Sequence, residues 1–201
     1  MNNYKNLPNV EIKILNSLTD DDLYQLFQVH RKSLPDDIII NFGFNVEKKY
    51  IKKLSEENNG LIIVALKDKS IIGFIFLRFK EINMKNFLDS KAITKFIIKS
   101  LYNPKIMIRL IYQLFKPIKN PRESCEIDYF AVLEKSRSSG VGKSLIKKAE
   151  LCALEKNYKK IFTKTNNKKL YSYYVDKKKA SLLHSFKVLN HEYLCVCWDI
   201  F

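Results

Sequence analysis

Val132-Leu133-Glu134-Lys135-Ser136-Arg137-Ser138-Ser139-Gly140-Val141-Gly142-Lys143-Ser144 is the stretch from which the fold is read. Before it, residues 125–133 have the apolar character of a strand. After it, Val141, Leu145, Ile146, Ala149 and Ala153 recur at helical spacing and predict a helix over 140–155. Gly140 and Gly142, one residue apart, let the backbone turn tightly so that several N–H groups converge at the positive end of that helix. This geometry binds phosphate or pyrophosphate. Gly142-Lys143-Ser144 also fits the tail of a nucleoside-triphosphate loop, G-x-x-x-x-G-K-[ST], but that pattern requires a glycine where this chain has Arg137. No aspartate suited to magnesium ends a later apolar strand, so the triphosphate reading fails.

Working outward, residues 10–15 alternate Val10, Ile12 and Ile14 as a strand. Thr19 followed by Asp20, Asp21 and Asp22 predicts an N-cap and acidic first turn. The helix after it carries Leu23, Leu26, Phe27 and His30 on one side and stops before Pro35. A second helix is expected over 46–57, then a hairpin of strands 61–66 and 71–79. Residues 84–116 read as a helical insert, with Ile93, Phe96, Ile97 and Leu101 among lysines and Pro104 dividing it into two helices. A short strand at 161–165, an aromatic helix at 168–175 and a closing strand at 193–200 follow. The order β-α-α-β-β-insert-β-α-β-α-β, with two late crossovers, predicts an α/β fold: one domain over 1–201, its mixed, partly parallel central sheet flanked by helices.

Composition narrows the classes. The chain has 201 residues, 46% apolar and 12% aromatic, enough for a sizeable core. Residues 70–77 are the longest uncharged apolar stretch, far short of a bilayer span, and no secretory signal follows Met1. A soluble, cytoplasmic protein is expected. The formal charge is +15, but only five of the 36 basic residues are arginine, and the lysines spread along the chain. That pattern suits a solvated surface or an anionic ligand better than a nucleic-acid stripe. Cys125, Cys152, Cys195 and Cys197 lack paired C-x-x-C spacing and read as small buried side chains, so no metal is expected.

Arg137, Gly140 and Gly142 match every fixed position of [R/Q]-x-x-G-x-[G/A], the coenzyme A pyrophosphate loop. Here the chain resembles the GNAT superfamily of N-acetyltransferases, whose element order is the one just read. It keeps Val132, Arg137, Gly140 and Gly142 in register, with Glu134 where proline is usual and Ser138 where glycine is usual. The resemblance implies acetyl-CoA in a cleft between two splayed parallel strands. Backbone groups of Phe130, Ala131 and Val132 would meet the pantetheine and thioester; Arg137, Ser138, Ser139, Gly140, Val141, Gly142 and Lys143 would hold the pyrophosphate. A second family pattern, N-x-x-A-x-x-[FLY]-Y, is matched from Asn167 to Tyr174 with Leu170 in place of alanine. By resemblance Asn167 would bond the pantetheine arm and Tyr174 would protonate the departing thiolate. The usual Gly-Phe after this helix is replaced by Lys177-Lys178-Lys179-Ala180, so Tyr173 stays an alternative acid.

The acceptor amine must lose a proton. Glu126, early in the strand before the loop, is the base position that related enzymes can use. Asp128 lies two residues on, and close carboxylates raise one another's pKa. His30 precedes a loop, Ser33-Leu34-Pro35-Asp36, expected to line the acceptor side. His184 and His191 have weaker claims. The resemblance implies direct attack of a small-molecule amine on the thioester, and the insert points to an amino sugar or sugar nucleotide by analogy. The insert would form a lid or a homodimer surface. Two other classes stay open: a peripheral membrane or lipid-carrier binder using the basic insert, and a coenzyme A module without catalysis.

Overall fold

A computed structural model describes residues 9–56, 58–105, 107–108 and 121–201. Among these, seven strands form one sheet: β1 (Val10–Ile14), β2 (Gly60–Lys67), β3 (Ser70–Arg78), β4 (Ser124–Val132), β5 (Lys160–Thr165), β6 (Ser181–Val188) and β7 (His191–Asp199). Their order is β1-β2-β3-β4-β5-β7-β6. Every neighbouring pair is antiparallel except β4 and β5. Helices α1 (Asp20–Ser33), α2 (Ile38–Phe42), α3 (Phe44–Ser55) and α4 (Ser90–Tyr102) cover one face, and α5 (Val141–Glu155) and α6 (Lys168–Lys178) the other. This is the mixed, partly parallel α/β sheet expected from the sequence.

β3 explains why the sheet is buried on both sides. Its unbroken apolar run sends Ile71, Phe74 and Phe76 toward α1–α4, and Ile72, Ile75 and Leu77 toward α5. The β2–β3 hairpin closes through Asp68 and Lys69, both left-handed (φ 50° and 63°), the twist-matched turn for a two-residue loop. Gly140 (φ 93°) turns the chain into α5, whose Val141, Leu145, Ile146, Ala149 and Ala153 are buried as their spacing predicts.

Three expectations are corrected. The chain between α1 and α3 forms an additional short helix, α2, nucleated by Asp37, whose carboxylate accepts from the Ile39 amide at 2.9 Å. The late part of the chain holds a hairpin, β6–β7, instead of one closing strand, and it places β7 antiparallel to β5. One parallel pair therefore exists instead of the two implied by two crossovers. β6 was illegible because it is an exposed edge strand, without the alternation that burial of one face imposes. Of the expected insert, Met84–Phe87 is a 3-10 turn and α4 a helix; residues 106 and 109–120 lie outside the described residues.

The Thr19 cap is a reciprocal box: Thr19 Oγ1 accepts from the Asp22 amide at 3.1 Å, and Asp22 accepts from the Thr19 amide at 3.0 Å. Thr19→Ala should therefore cost about 1 kcal/mol. In a chain of this size that lowers the melting midpoint by roughly 2–4 °C, which a circular-dichroism melt checks.

Candidate active site

β4 and β5 pair only as far as Ile127 and Thr163. At that point the Thr163 hydroxyl donates to the Ile127 carbonyl at 2.9 Å. Beyond it β5 keeps only its ladder to β7 and β4 only its ladder to β3, so the strands part and, among the described residues, the β5-facing backbone edge of Asp128–Val132 is left without a strand. On the other side β4 carries one extra residue: Phe76 pairs with Tyr129 and Leu77 with Ile127. Asp128 is the bulged residue, and the bulge helps bend β4 away from β5.

The loop of residues 133–140 leads from this edge to α5. Arg137 Nε donates to the Val132 carbonyl at 3.0 Å, and Ser139 Oγ to the Ser136 carbonyl at 2.8 Å, so these side chains hold the loop's own shape. Ser138 adopts a left-handed φ of 65°, which explains why glycine is usual there. Gly140 provides no side-chain cap, and the first amides of α5, at Val141, Gly142 and Lys143, have no acceptor within the helix. Gly142 is needed for a different reason than Gly140. It lies inside α5, and a Cβ there would stand 3.1 Å from Phe130 Cζ. The glycine lets the helix end approach the open edge of β4. An open strand edge leading to uncapped, positive helix amides fits a long amide-bearing arm ending in a pyrophosphate, as coenzyme A has.

Asn167 caps α6: its Oδ1 accepts from the Leu170 amide at 3.1 Å, a bond that does not engage its NH2 group. Tyr174 is fully buried, its ring stacked on Trp198 at 5.0 Å, and burial pushes its phenol well above the ordinary value. Tyr173 is half-buried and meets it edge-on. The left-handed turn ending α6 is made by Lys179 (φ 56°), in the segment where the family's Gly-Phe is usual.

On the α1–α4 face a polar seam crosses β4. Glu126, 1% exposed, pairs with Arg78 and, at 2.9 Å, with Lys164, which is one-third exposed. Arg78 also faces Asp128 at 3.4 Å, and Asp128 accepts from the Tyr50 hydroxyl. Burial and the Asp128 charge push Glu126 above the usual carboxylate range, against the pull of Lys164 and Arg78. Deeper in, His30 is fully buried on α1, its Nδ1 2.7 Å from Glu47 Oε1 and its ring 4.7 Å from that of Tyr129. Among the described residues, His30 Nε2 and Glu47 Oε2 have no hydrogen-bond partner. Glu126, Asp128 and His30 thus fall on one face of the sheet. His184 and His191 lie on the β6–β7 hairpin instead.

Sequence reading missed Glu47, Tyr50, Arg78 and Lys164. Glu47 had a signal, since it shares a helical stripe with Ile51 and Leu54, and a charge there demands a buried partner. Arg78 and Lys164 sit near strand ends and show nothing until the strands pair. The cysteines are buried as expected, and burial pushes Cys125 up to about 12, so it does not supply a thiolate at neutral pH. Among the described residues no group of three metal-ligating side chains occurs.

Residues 23–176 match the model of the Acetyltransferase (GNAT) family. No curated protein matches the sequence. Among solved structures, the chain is similar to the ribosomal-protein-S18-alanine N-acetyltransferase of Escherichia coli, at 9% identity and a TM-score of 0.60, covering 95% of this chain and 94% of that one. It is also similar to the ribosomal-protein-alanine N-acetyltransferase of Brucella melitensis (12% identity, TM-score 0.61, 94% and 99% covered). A chain of the NatC complex bound to Gag peptide and CoA gives 11% identity and a TM-score of 0.60, over 96% and 99%. At these identities the likeness is one of fold.

Burial opposes a charge on His30, but the Glu47 hydrogen bond and the Asp37, Glu47 and Asp128 charges outweigh it and hold the imidazolium above its ordinary 6.5. A raised folded-state value stabilises below the unfolded value and is lost as pH rises through the folded one. The stability gap between the wild type and Glu47→Gln should therefore be widest below pH 6.5 and shrink on going alkaline. Urea unfolding across pH 6 to 9 reads it; a pH-independent gap would mean that His30 is neutral throughout.

Proposed function

This chain belongs to the GNAT acetyltransferase family, and we propose from that premise that it moves the acetyl group of acetyl-CoA directly to the amine of a small molecule. The observation that carries the reading is the parting of β4 and β5 beside the uncapped start of α5. Acetyl-CoA supplies an activated thioester. The backbone of Phe130, Ala131 and Val132 would bind its arm, and residues 137–143 its pyrophosphate, with Asn167 NH2 as a further donor. On this reading one cleft at the opening would hold both reactants, so no covalent enzyme intermediate is needed. Proximity then contributes up to roughly 7–11 kcal/mol in well-oriented cases.

Proton movements fall to three side chains. Glu126 is the base reading best supported: it lies one residue before the strands part, its proton affinity is raised, and Lys164 is the partner an incoming ammonium would displace from Oε1. His30 is the weaker candidate: it is held under α1 behind Tyr129, and the Glu47 pairing favours its protonated form, which cannot accept a further proton. Tyr174 stands at the family's acid position and would protonate the departing thiolate; burial keeps its proton on at neutral pH but also makes it a weaker acid, so the role depends on the thiolate reaching its hydroxyl. An amino sugar or sugar nucleotide is the acceptor class to screen first, with amino-terminal peptides beside it, because two of the similar folds are named for protein acceptors.

Calorimetric titration should show micromolar acetyl-CoA binding and none of ATP with magnesium. Gly142→Trp, which drives a side chain into Phe130, should abolish it while the circular-dichroism spectrum is kept. Unaffected binding would remove the loop assignment.

Tyr174→Phe should lower kcat by about a hundredfold or more, the usual loss of a general acid, with little change in acetyl-CoA affinity. Equal losses in both, or none in either, would exclude Tyr174 from the acid role.

A further inference from the structure

Among the described residues, α4 buries Ala92, Phe96 and Ser100 against the core. These three recur every fourth residue and form one narrow stripe, with Phe96 stacked on Phe42 at 4.3 Å. The rest of the helix faces outward and is apolar to an unusual degree: Ile93, Ile97, Ile98, Leu101 and Tyr102 are exposed, from 42% at Ile93 to 87% at Tyr102. Interleaved with them are Lys91, Lys95 and Lys99, and the segment Ser90–Tyr102 contains no acidic residue. The nearest acid, Asp89, caps the helix and is paired with Lys49 at 2.9 Å. Ile108 and Lys105 continue the same composition as exposed residues.

We propose that α4 is a peripheral membrane-docking element that lays its isoleucine-rich outer face into the surface of an anionic lipid bilayer. The charge pattern selects the occupant. A second copy of this chain, meeting α4 through a two-fold axis, would bring six lysines into one interface with no acid from either helix to meet them. A nucleic acid would satisfy the lysines but leave five large apolar side chains against phosphate and water. An anionic bilayer satisfies both, with lipid headgroups for the lysines and the acyl boundary for Ile93, Ile97, Ile98 and Leu101; Tyr102 has the amphipathic ring that settles between the two. The chain's +15 charge adds long-range attraction of the same sign. Among the described residues no helix is long and apolar enough to cross a membrane, so the contact is one of surface.

Flotation with phosphatidylglycerol–phosphatidylcholine vesicles tests this without any acceptor substrate. The full chain should float with the anionic vesicles and stay behind with phosphatidylcholine alone. Replacing Lys91, Lys95 and Lys99 by glutamine should weaken partition by roughly a factor of five for each lysine removed. Ile97→Ser with Leu101→Ser, both exposed and therefore compatible with folding, should weaken it as well while acetyl-CoA binding is kept. Three results would overturn the proposal: no flotation with anionic vesicles, full retention by the serine variant, which would make the surface a general polyanion site, or a dimer-to-monomer shift of that variant in sedimentation, which would assign the face to a second copy. None of these outcomes bears on the acetyl-CoA site, so the two readings stand or fall separately.

Discussion

Beyond Ile127 and Thr163 two parallel strands that have been hydrogen-bonded for four residues go separate ways, and the cleft follows from that parting. β5 is held by β7 and β4 by β3, so neither can close the gap. The extra residue at Asp128 adds a bend on β4 at the same level. The result is an unusual commodity in a folded protein, a run of strand backbone inside the sheet that has no strand beside it. Polar backbone groups in such a position need partners, and a long arm rich in amides would provide them. The adjacent start of α5, left without a side-chain cap by Gly140, extends the same unmet hydrogen-bonding capacity to a phosphate group. Gly142 allows the two to lie side by side.

The bulge has a second consequence on the opposite side of β4. It places Asp128 and Tyr129 together on the face that α1 and α3 cover, next to Glu126. Three acids, Glu126, Asp128 and Glu47, then share a seam with Arg78, Lys164 and His30 that is buried at His30, Glu47 and Glu126 and opens toward solvent at Lys164. Each charge there is matched, and removing one member would strand its partner in a poorly solvated place, typically a loss of about 3–5 kcal/mol. Lys164 is the exception in its surroundings, since it reaches solvent and can be replaced at Glu126 with less loss. The seam is thereby fixed by buried pairs toward the core and held by the more exposed Lys164 toward the cleft.

Much of this was legible beforehand, for identifiable reasons. The loop from Val132 to Ser144 carries its meaning in local residue types: two glycines, an arginine at a fixed distance, and the switch from strand to helix periodicity around them. Thr19 and Asp22 announce their capping box three residues apart. The apolar stripe of α5 repeats at helical spacing and is buried where that spacing puts it. By contrast, α2 is five residues long and depends on one aspartate, and β6 is a solvent-facing edge, so neither carries a periodic signal. Gly142 was legible as a glycine but not in its role, because the reason for it is Phe130, twelve residues away on another element.

What the sequence by itself determined, then, is everything set by neighbours within a turn or two: helix starts, the β2–β3 hairpin, the glycine turn into α5 and the family that this loop points to. What only the tertiary structure decided is which charges meet. Glu126 and Lys164 are 38 residues apart, Tyr50 and Asp128 are 78 apart, and their pairing depends on strand order, on register and on one bulged residue. Local spacing cannot encode these, because in a sheet the partner across the ladder is chosen by the packing of the whole core. The same holds for α4. Its amphipathic pattern promises one buried stripe, and only the packed core shows that the stripe is three residues wide and that the isoleucines are left outside.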